Sequence, residues 1–293
     1  MGRKFKEEAM KYLIRLAQPD ILLIQETKME KDSFLHVSAK FLKKGGRTVV
    51  SSRGASGGIA TLWDDQKHDL VDTKHSPHWI LTTLLQKETN TRVRLFNIYV
   101  PATYAELFFC WNLIRDEISN LLGNVILAGD LNIILNQAEK RGGSVVRDPI
   151  REQFDDLIME WGLSDIIPAK GKYTWNNKRL GPGHIAGSLD RFLDQDSFLL
   201  LGVKPSSKIL VFGGSYHKLI LLKMRKDQNL GPIPFRFNPL WVSHNDFMKI
   251  VAKAWTSSVT RSPFYIWEEK PCRAKRALKK WEKYSETPNN KKR

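Results

Sequence analysis

One apolar run, Val125-Ile126-Leu127-Ala128, passes through Gly129 into Asp130-Leu131-Asn132, and it constrains the fold more than any other stretch of the chain. With no polar residue in it, the run reads as a strand buried on both faces, and Gly129 allows a sharp turn where polar side chains begin. Asp130 and Asn132 then project from the strand's end. A carboxylate able to take a proton from water, two residues from a carboxamide able to hold a phosphate oxygen, suits phosphodiester hydrolysis. Taken singly, each residue is also an ordinary turn former.

A second run of the same kind, Asp20-Ile21-Leu22-Leu23-Ile24-Gln25-Glu26, delivers Glu26 to a strand end. Beside Asp130, Glu26 would complete an oxygen-ligand site of the sort Mg²⁺ takes, with one or two carboxylates and several waters. On its own it is a solvated strand end. Arg92 to Pro101 alternates and then turns apolar, placing Tyr99 just before a proline that stops the strand; a core aromatic is the plainer reading. Two later segments, Ser188-Leu189-Asp190-Arg191-Phe192-Leu193 and Gly214-Ser215-Tyr216-His217-Lys218-Leu219, bring an Asp and a His to separate strands. An Asp carboxylate so placed can fix an imidazole's tautomer and raise its basicity.

In chain order, Gln25-Glu26-Thr27, Asn97-Ile98-Tyr99-Val100-Pro101, Gly129-Asp130-Leu131-Asn132, Tyr173-Thr174-Trp175, Leu189-Asp190-Arg191 and Ser215-Tyr216-His217 resemble the endonuclease/exonuclease/phosphatase family. The likeness is greatest to the apurinic-endonuclease-like domain of plant non-LTR (LINE-type) retrotransposons. It includes Gly231-Pro232-Ile233-Pro234-Phe235-Arg236-Phe237-Asn238 and Trp241, which look like the linker such elements place after the endonuclease. The resemblance implies an α/β fold, a two-sheet β-sandwich flanked by helices (DNase I-like), and Mg²⁺-dependent phosphodiester hydrolysis, with Mn²⁺ as the alternative ion. It assigns the metal to Glu26 and the attacking water to Asp130. Asn132 would hold the water or a phosphate oxygen, Tyr99 would contact the phosphate, and Asp190 would orient His217. Trp175 is expected in the core.

Two departures stand against these matches. Family members open with a strand bearing an Asn that orders the metal site, whereas this chain starts inside the following helix, where Phe5, Ala9, Leu13 and Leu16 share a face. The expected fold is therefore N-terminally truncated, with sheet edges left open. Tyr216 stands where the family has an Asp, so a neutral phenol replaces a carboxylate, and Lys218 adds a cation nearby. Loss of one supporting group at a metal site typically costs about 10- to 100-fold in affinity or activity, so catalysis is expected to be impaired. A catalytically inactive nucleic-acid-binding remnant and a phosphatase of the same superfamily are the alternatives.

Helical spacing and turn residues outline the rest. Strands are expected near 21–25, 47–52, 57–63, 79–86, 92–100, 124–129, 188–194, 207–212 and 217–224, with helices near 102–121 and from Pro149 to Gly162. Gly45-Gly46 and Gly57-Gly58 read as turns. The endonuclease-like domain spans 1–224, and 225–293 forms a linker and basic helical tail with two short helices, around 247–254 and 274–281; the second reads as a basic amphipathic helix and not a globular core. The last residues, 286–293, are expected to be disordered.

Charge bears on partners. The chain carries a formal +16, and from Lys223 to Arg293 there are 17 Lys/Arg against 6 Asp/Glu, so +11 of it lies in the tail. Binding of DNA, or of RNA, through that tail is expected, with a solvated charged helix as the alternative. No leader is evident and no apolar stretch approaches a membrane span. The two cysteines, Cys110 and Cys272, lie in unrelated segments, which fits free thiols in a reducing nuclear or cytoplasmic setting. A monomer is expected.

Overall fold

Strand β7 (Val125–Asp130) is buried along its whole length, as its apolar run requires. The computed structural model describes residues 3–42, 44–54, 56–100, 103–119, 121, 125–143, 150–195, 198, 202–210, 215–226, 241–242, 244–256 and 263–285. Pro101, Pro149, Gly214, residues 211–212, the linker 231–238 and the expected disordered end 286–293 lie outside them. The chain divides into two compact units, 1–230 and 231–293.

Unit 1 opens with α1 (Arg3–Ala17), β1 (Ile21–Gln25), α2 (Lys31–Ser38), β2 (Gly46–Val50), β3 (Ile59–Trp63), β4 (His68–His75), β5 (Trp79–Gln86), β6 (Thr91–Tyr99) and α3 (Tyr104–Ser119). After β7 come β8 (Lys140–Arg141), α4 (Ile150–Glu160), β9 (Leu163–Asp165), β10 (Trp175–Asn176), β11 (Ala186–Gly187), β12 (Asp190–Gln195), β13 (Val203–Leu210) and β14 (Leu219–Lys226). The larger sheet has the order β4-β5-β6-β7-β12-β9 and is antiparallel except between β6 and β7. A parallel pair needs a crossover, and α3 lies within it.

Side chains alternate across a strand, so each sheet face gathers its own core. From the larger sheet, Phe96, Ile98, Leu127 and Leu193 pack with Leu107, Trp111 and Ile114 of α3 and Phe154 and Leu157 of α4. Their neighbours on the opposite face, Leu95, Ile126 and Ala128, meet Ile21 and Leu23 of β1, Val203 of β13, and Leu222 and Met224 of β14. The facing layer comprises two ladders, β1-β3-β2 and β13-β14. Leu22 and Ile24, on the other face of β1, pack with Ala60, Leu62 and α2's Phe34. The result is helix, sheet, sheet, helix. Fully burying a side chain such as Ile98 or Leu127 stabilises by about 1.5–3 kcal/mol.

Several expectations change. β1 is half-buried throughout, because it is an edge strand of its ladder. Gly129 does not turn the chain; it continues β7, and a Cβ there would lie 2.0 Å from the Ile98 carbonyl oxygen, at φ +134. Gly46 belongs to β2, with the Trp63 ring packed where a side chain would be. In unit 2 the tail helices are α5 (Phe247–Thr256) and α6 (Pro263–Ser285), the second 23 residues long with Pro271 inside it. They form a core of their own: Phe247, Trp241 and Leu278 are buried, backed by Ile250, Val251 and Trp281. The apolar stripe of α6 therefore has a partner in α5. Among the described residues no helix is long and apolar enough to cross a membrane.

Candidate active site

Three neighbouring strands of the larger sheet end level with one another. Register pairs Tyr99 of β6 with Asp130 of β7, and Asp130 with Asp190 of β12. Two carboxylates thus stand directly opposite each other, an arrangement that costs stability unless positive charge is supplied. His217, which bridges to Trp175 just before β14, supplies some. Its Nδ1 lies 3.0 and 3.2 Å from the two Asp190 carboxylate oxygens, and its Nε2 lies 3.8 Å from Asp130 Oδ2. The His217 backbone N–H donates to Ser215 Oγ at 3.1 Å.

Burial and charge set the protonation of this group. Burial, reinforced by the Asp190 charge and opposed by His217, raises the Asp130 carboxyl to about 7. Burial alone would lower the His217 imidazole, but its bond to Asp190 and the charges of Asp190, Asp130 and Glu26 outweigh that, and its pKa is raised. Both shifts favour the protonated form of the group concerned.

Glu26 is held apart from that trio. Its Oε1 accepts a 2.5 Å hydrogen bond from the Tyr99 hydroxyl, and Lys28 Nζ lies 3.4 Å from its Oε2. Burial would raise the Glu26 carboxyl, but the Tyr99 bond and the Lys28 charge lower it. Burial and the same Glu26 contact push the Tyr99 phenol up. Asn132, at φ +53, donates its side-chain amide to the Val100 carbonyl at 3.4 Å, and its backbone N–H to Asp130 Oδ1 at 3.2 Å. It is thus aligned by β6 and β7 and is not bonded to His217.

Three supporting residues, Thr174, Asn97 and Arg191, lie within the family-like motifs, though the resemblance assigns them no role. Thr174, fully buried, accepts at Oγ1 from the backbone N–H groups of Leu189 at 2.9 Å and Asp190 at 3.0 Å, which fixes where Asp190 begins. Asn97, also fully buried, accepts from Gln25 Nε2 at 2.6 Å and donates to the Ala60 carbonyl at 2.9 Å and Thr61 Oγ1 at 3.3 Å. It joins the two sheet layers directly beneath Glu26 and Tyr99. Arg191 is buried beside Asp190 and donates to Glu139, to Asp165 at 2.7 Å, and to the carbonyls of Ser188 and Ile133. The signal that could have found Thr174 and Asn97 is their place in the Tyr173-Thr174-Trp175 and Asn97-Ile98-Tyr99 motifs.

Two expectations are revised. Trp175 is half-buried on the short strand β10, at the edge of the small sheet β10-β11-β8 and outside the core clusters. Tyr216 does not fill the carboxylate cluster: its side chain is 55% exposed, with Lys178 Nζ 4.7 Å from the ring centroid.

Asp130, Asp190 and His217 each offer one ligand atom, and these atoms all lie within 4.8 Å of one another. Two desolvated carboxylates facing each other, one of them driven up to about 7, are a donor set that a divalent cation would relieve.

A model described as the Endonuclease/Exonuclease/phosphatase family matches residues 3–183. Among curated proteins no sequence matches the chain. Among solved structures, the AP endonuclease LMAP from Leishmania major is similar over 76% of this chain and 83% of its own, at 16% identity and a TM-score of 0.59. The endonuclease domain of TRAS1, a telomere-specific non-LTR retrotransposon, is similar over 74% of this chain and 91% of its own, at 14% identity and a TM-score of 0.57. D. rerio TDP2, solved with a single-strand DNA product, is similar over 77% and 93%, at 14% identity and a TM-score of 0.58.

Proposed function

The chain belongs to the endonuclease/exonuclease/phosphatase family, with that family's DNase I-like layering of sheets and helices, and from this we propose that it hydrolyses phosphodiester bonds of DNA at the Asp130, Asp190 and His217 cluster with Mg²⁺ or Mn²⁺. The observation that carries the reading is the convergence of those three side chains at level strand ends. Asp130 and Asp190 are the residues that would hold the cation, with Glu26 adding its charge from beside Tyr99. A bound cation would supply Lewis-acid polarisation of the phosphate.

The remaining work falls to the chain. Asp190 holds the His217 ring with Nδ1 toward itself, which leaves Nε2 facing Asp130 and the open end of the strands. Asp130, at the level end of β7, orients the attacking water. His217, whose pKa is raised, presents a positive edge where charge develops on the phosphate. Asn132, whose amide has a second N–H, orients the phosphate, while Tyr99 holds Glu26 in place beside it.

The activity we propose is reduced. Lys28 occupies one oxygen of Glu26, and Tyr216 brings no negative charge to the cluster. The same two observations favour a second reading, a chain that binds nucleic acid without cutting it, through the basic unit 2. The motif order and the likeness to the TRAS1 domain support descent from a non-LTR retrotransposon endonuclease. Nicking of supercoiled plasmid by the full chain in Mg²⁺ or Mn²⁺ tests the proposal, with calorimetric titration of each metal alongside. We expect slow nicking that Asp130→Asn and His217→Ala abolish and Tyr216→Asp accelerates. Absence of nicking in both the natural chain and the Tyr216→Asp variant would leave the second reading in place of the first.

A further inference from the structure

Unit 2 divides its tryptophans. Trp241 and Trp281 serve its interior, their rings edge-on at 6.1 Å between centroids. Trp255 and Trp267 do not: they are 44% and 80% exposed. An indole kept in water forfeits the stabilisation its burial would bring, so folding does not account for these two. A cation stands by them: Lys270 Nζ lies 5.9 Å from the Trp255 ring centroid, and Lys270 follows Trp267 by three positions on α6, on the same helix face.

The charge around them names the partner's sign. Residues 231–293 hold 14 Lys/Arg against 5 Asp/Glu, +9 of the chain's +16. Of the acids, Glu269 is already engaged by Arg273 at 3.2 Å and Arg276 at 3.0 Å. Flat aromatic faces flanked by ammonium groups match one polyanion best. In a duplex, base faces are stacked against each other and only phosphates are offered; in a single strand each base presents a face to an indole while the phosphates meet lysine. A bilayer surface would call for a continuous apolar stripe, and the apolar stripes of α5 and α6 face inward around Phe247 and Leu278.

We propose that Trp255, Lys270 and Trp267 form a stacking platform for a single-stranded polynucleotide. The proposal shares with the nuclease reading only the class of ligand and involves none of the residues of the Asp130 cluster.

The test uses the full chain in EDTA, so that cleavage plays no part. Fluorescence anisotropy would compare labelled oligo(dT), oligo(rU) and duplex DNA of equal length. We expect tighter binding of the single strands than of the duplex. Trp267→Ala, at an exposed position, should weaken single-strand binding on the order of ten-fold and leave duplex binding unchanged. Lys270→Gln should weaken binding of every probe and reduce the salt slope by about one. The dT and rU arms decide between DNA and RNA as the source of the strand. Equal affinity for duplex and single strand with an unchanged Trp267→Ala variant would overturn the proposal. So would a shift of tryptophan emission by anionic phospholipid vesicles that compete with oligo(dT), or concentration-dependent self-association that Trp267→Ala abolishes. Asp130→Asn keeps the two questions apart, since it should remove nicking and retain oligo(dT) binding.

Discussion

Arg191→Met should unfold the larger sheet's far end more readily than any surface change in unit 1. Arg191 is 4% exposed, and its guanidinium donates to Glu139, Asp165 and the carbonyls of Ser188 and Ile133. Removing it strands two carboxylates whose side chains are only 23% and 20% exposed. Breaking a buried ion pair costs about 3–5 kcal/mol, and each carbonyl left unpaired adds about 1 kcal/mol. Methionine's own packing and partial rehydration of the acids offset some of this, so a net loss of about 3–4 kcal/mol is expected. Urea unfolding followed by tryptophan fluorescence would read it as a midpoint lower by roughly 1 M or more. The sign of the pH dependence adds a second check. Burial already raises the Asp165 carboxyl, against the pull of Arg191. Without Arg191 the folded state binds protons that the unfolded state releases, so the deficit must grow from pH 5 to pH 8. Arg191→Lys keeps the charge but not the fork and should lose less. A deficit below about 1 kcal/mol at pH 8, or one that shrinks as pH rises, would refute the reasoning.

Other outcomes follow from single features. Asn97→Leu removes three hydrogen bonds between the layers and should cost about 2–4 kcal/mol by urea unfolding, with metal affinity falling alongside because Glu26 and Tyr99 lose their common support. Burial lowers the His68 pKa below its ordinary 6.5, so the stability tied to its neutral ring is complete above 6.5 and is lost as pH falls toward the folded value. His68→Gln should therefore flatten the fall in Tm between pH 7 and 5 relative to the natural chain, the opposite-signed contribution of His217 being common to both. Burial pushes the Cys110 thiol up to about 12 while Cys272 is exposed, so a thiol reagent should label one cysteine in the native chain and two in denaturant.

The parts of the fold visible in the sequence are those where burial writes a pattern. β7 and β5 stood out because their apolar runs lie in the core. β4 did not, since His68–His75 is an edge strand exposed along most of its length, and its residues satisfy no periodicity. The short helix α2 carries too few apolar residues to define a face. The expected helix around 274–281 extends back to Pro263, through Pro271, because packing around Leu278 outweighs local preference. The site divides the same way. Glu26, Tyr99, Asp130, Asp190 and His217 were legible as polar residues ending apolar strands. Thr174, Asn97 and Lys28 act through a backbone N–H, an opposite sheet or a neighbouring carboxylate, relations that only the folded register creates.

The level ends of β6, β7 and β12, with His217 arriving ahead of β14, have a consequence in time. Glu26 and His217 enter from opposite ends of unit 1, and the ladders that align them pair residues far apart in sequence. Long-range pairing of this kind is slow and comes together late. During synthesis the chain must therefore be released almost to the end of unit 1 before the Asp130 cluster can exist, and every shorter nascent product passes through the cell without it.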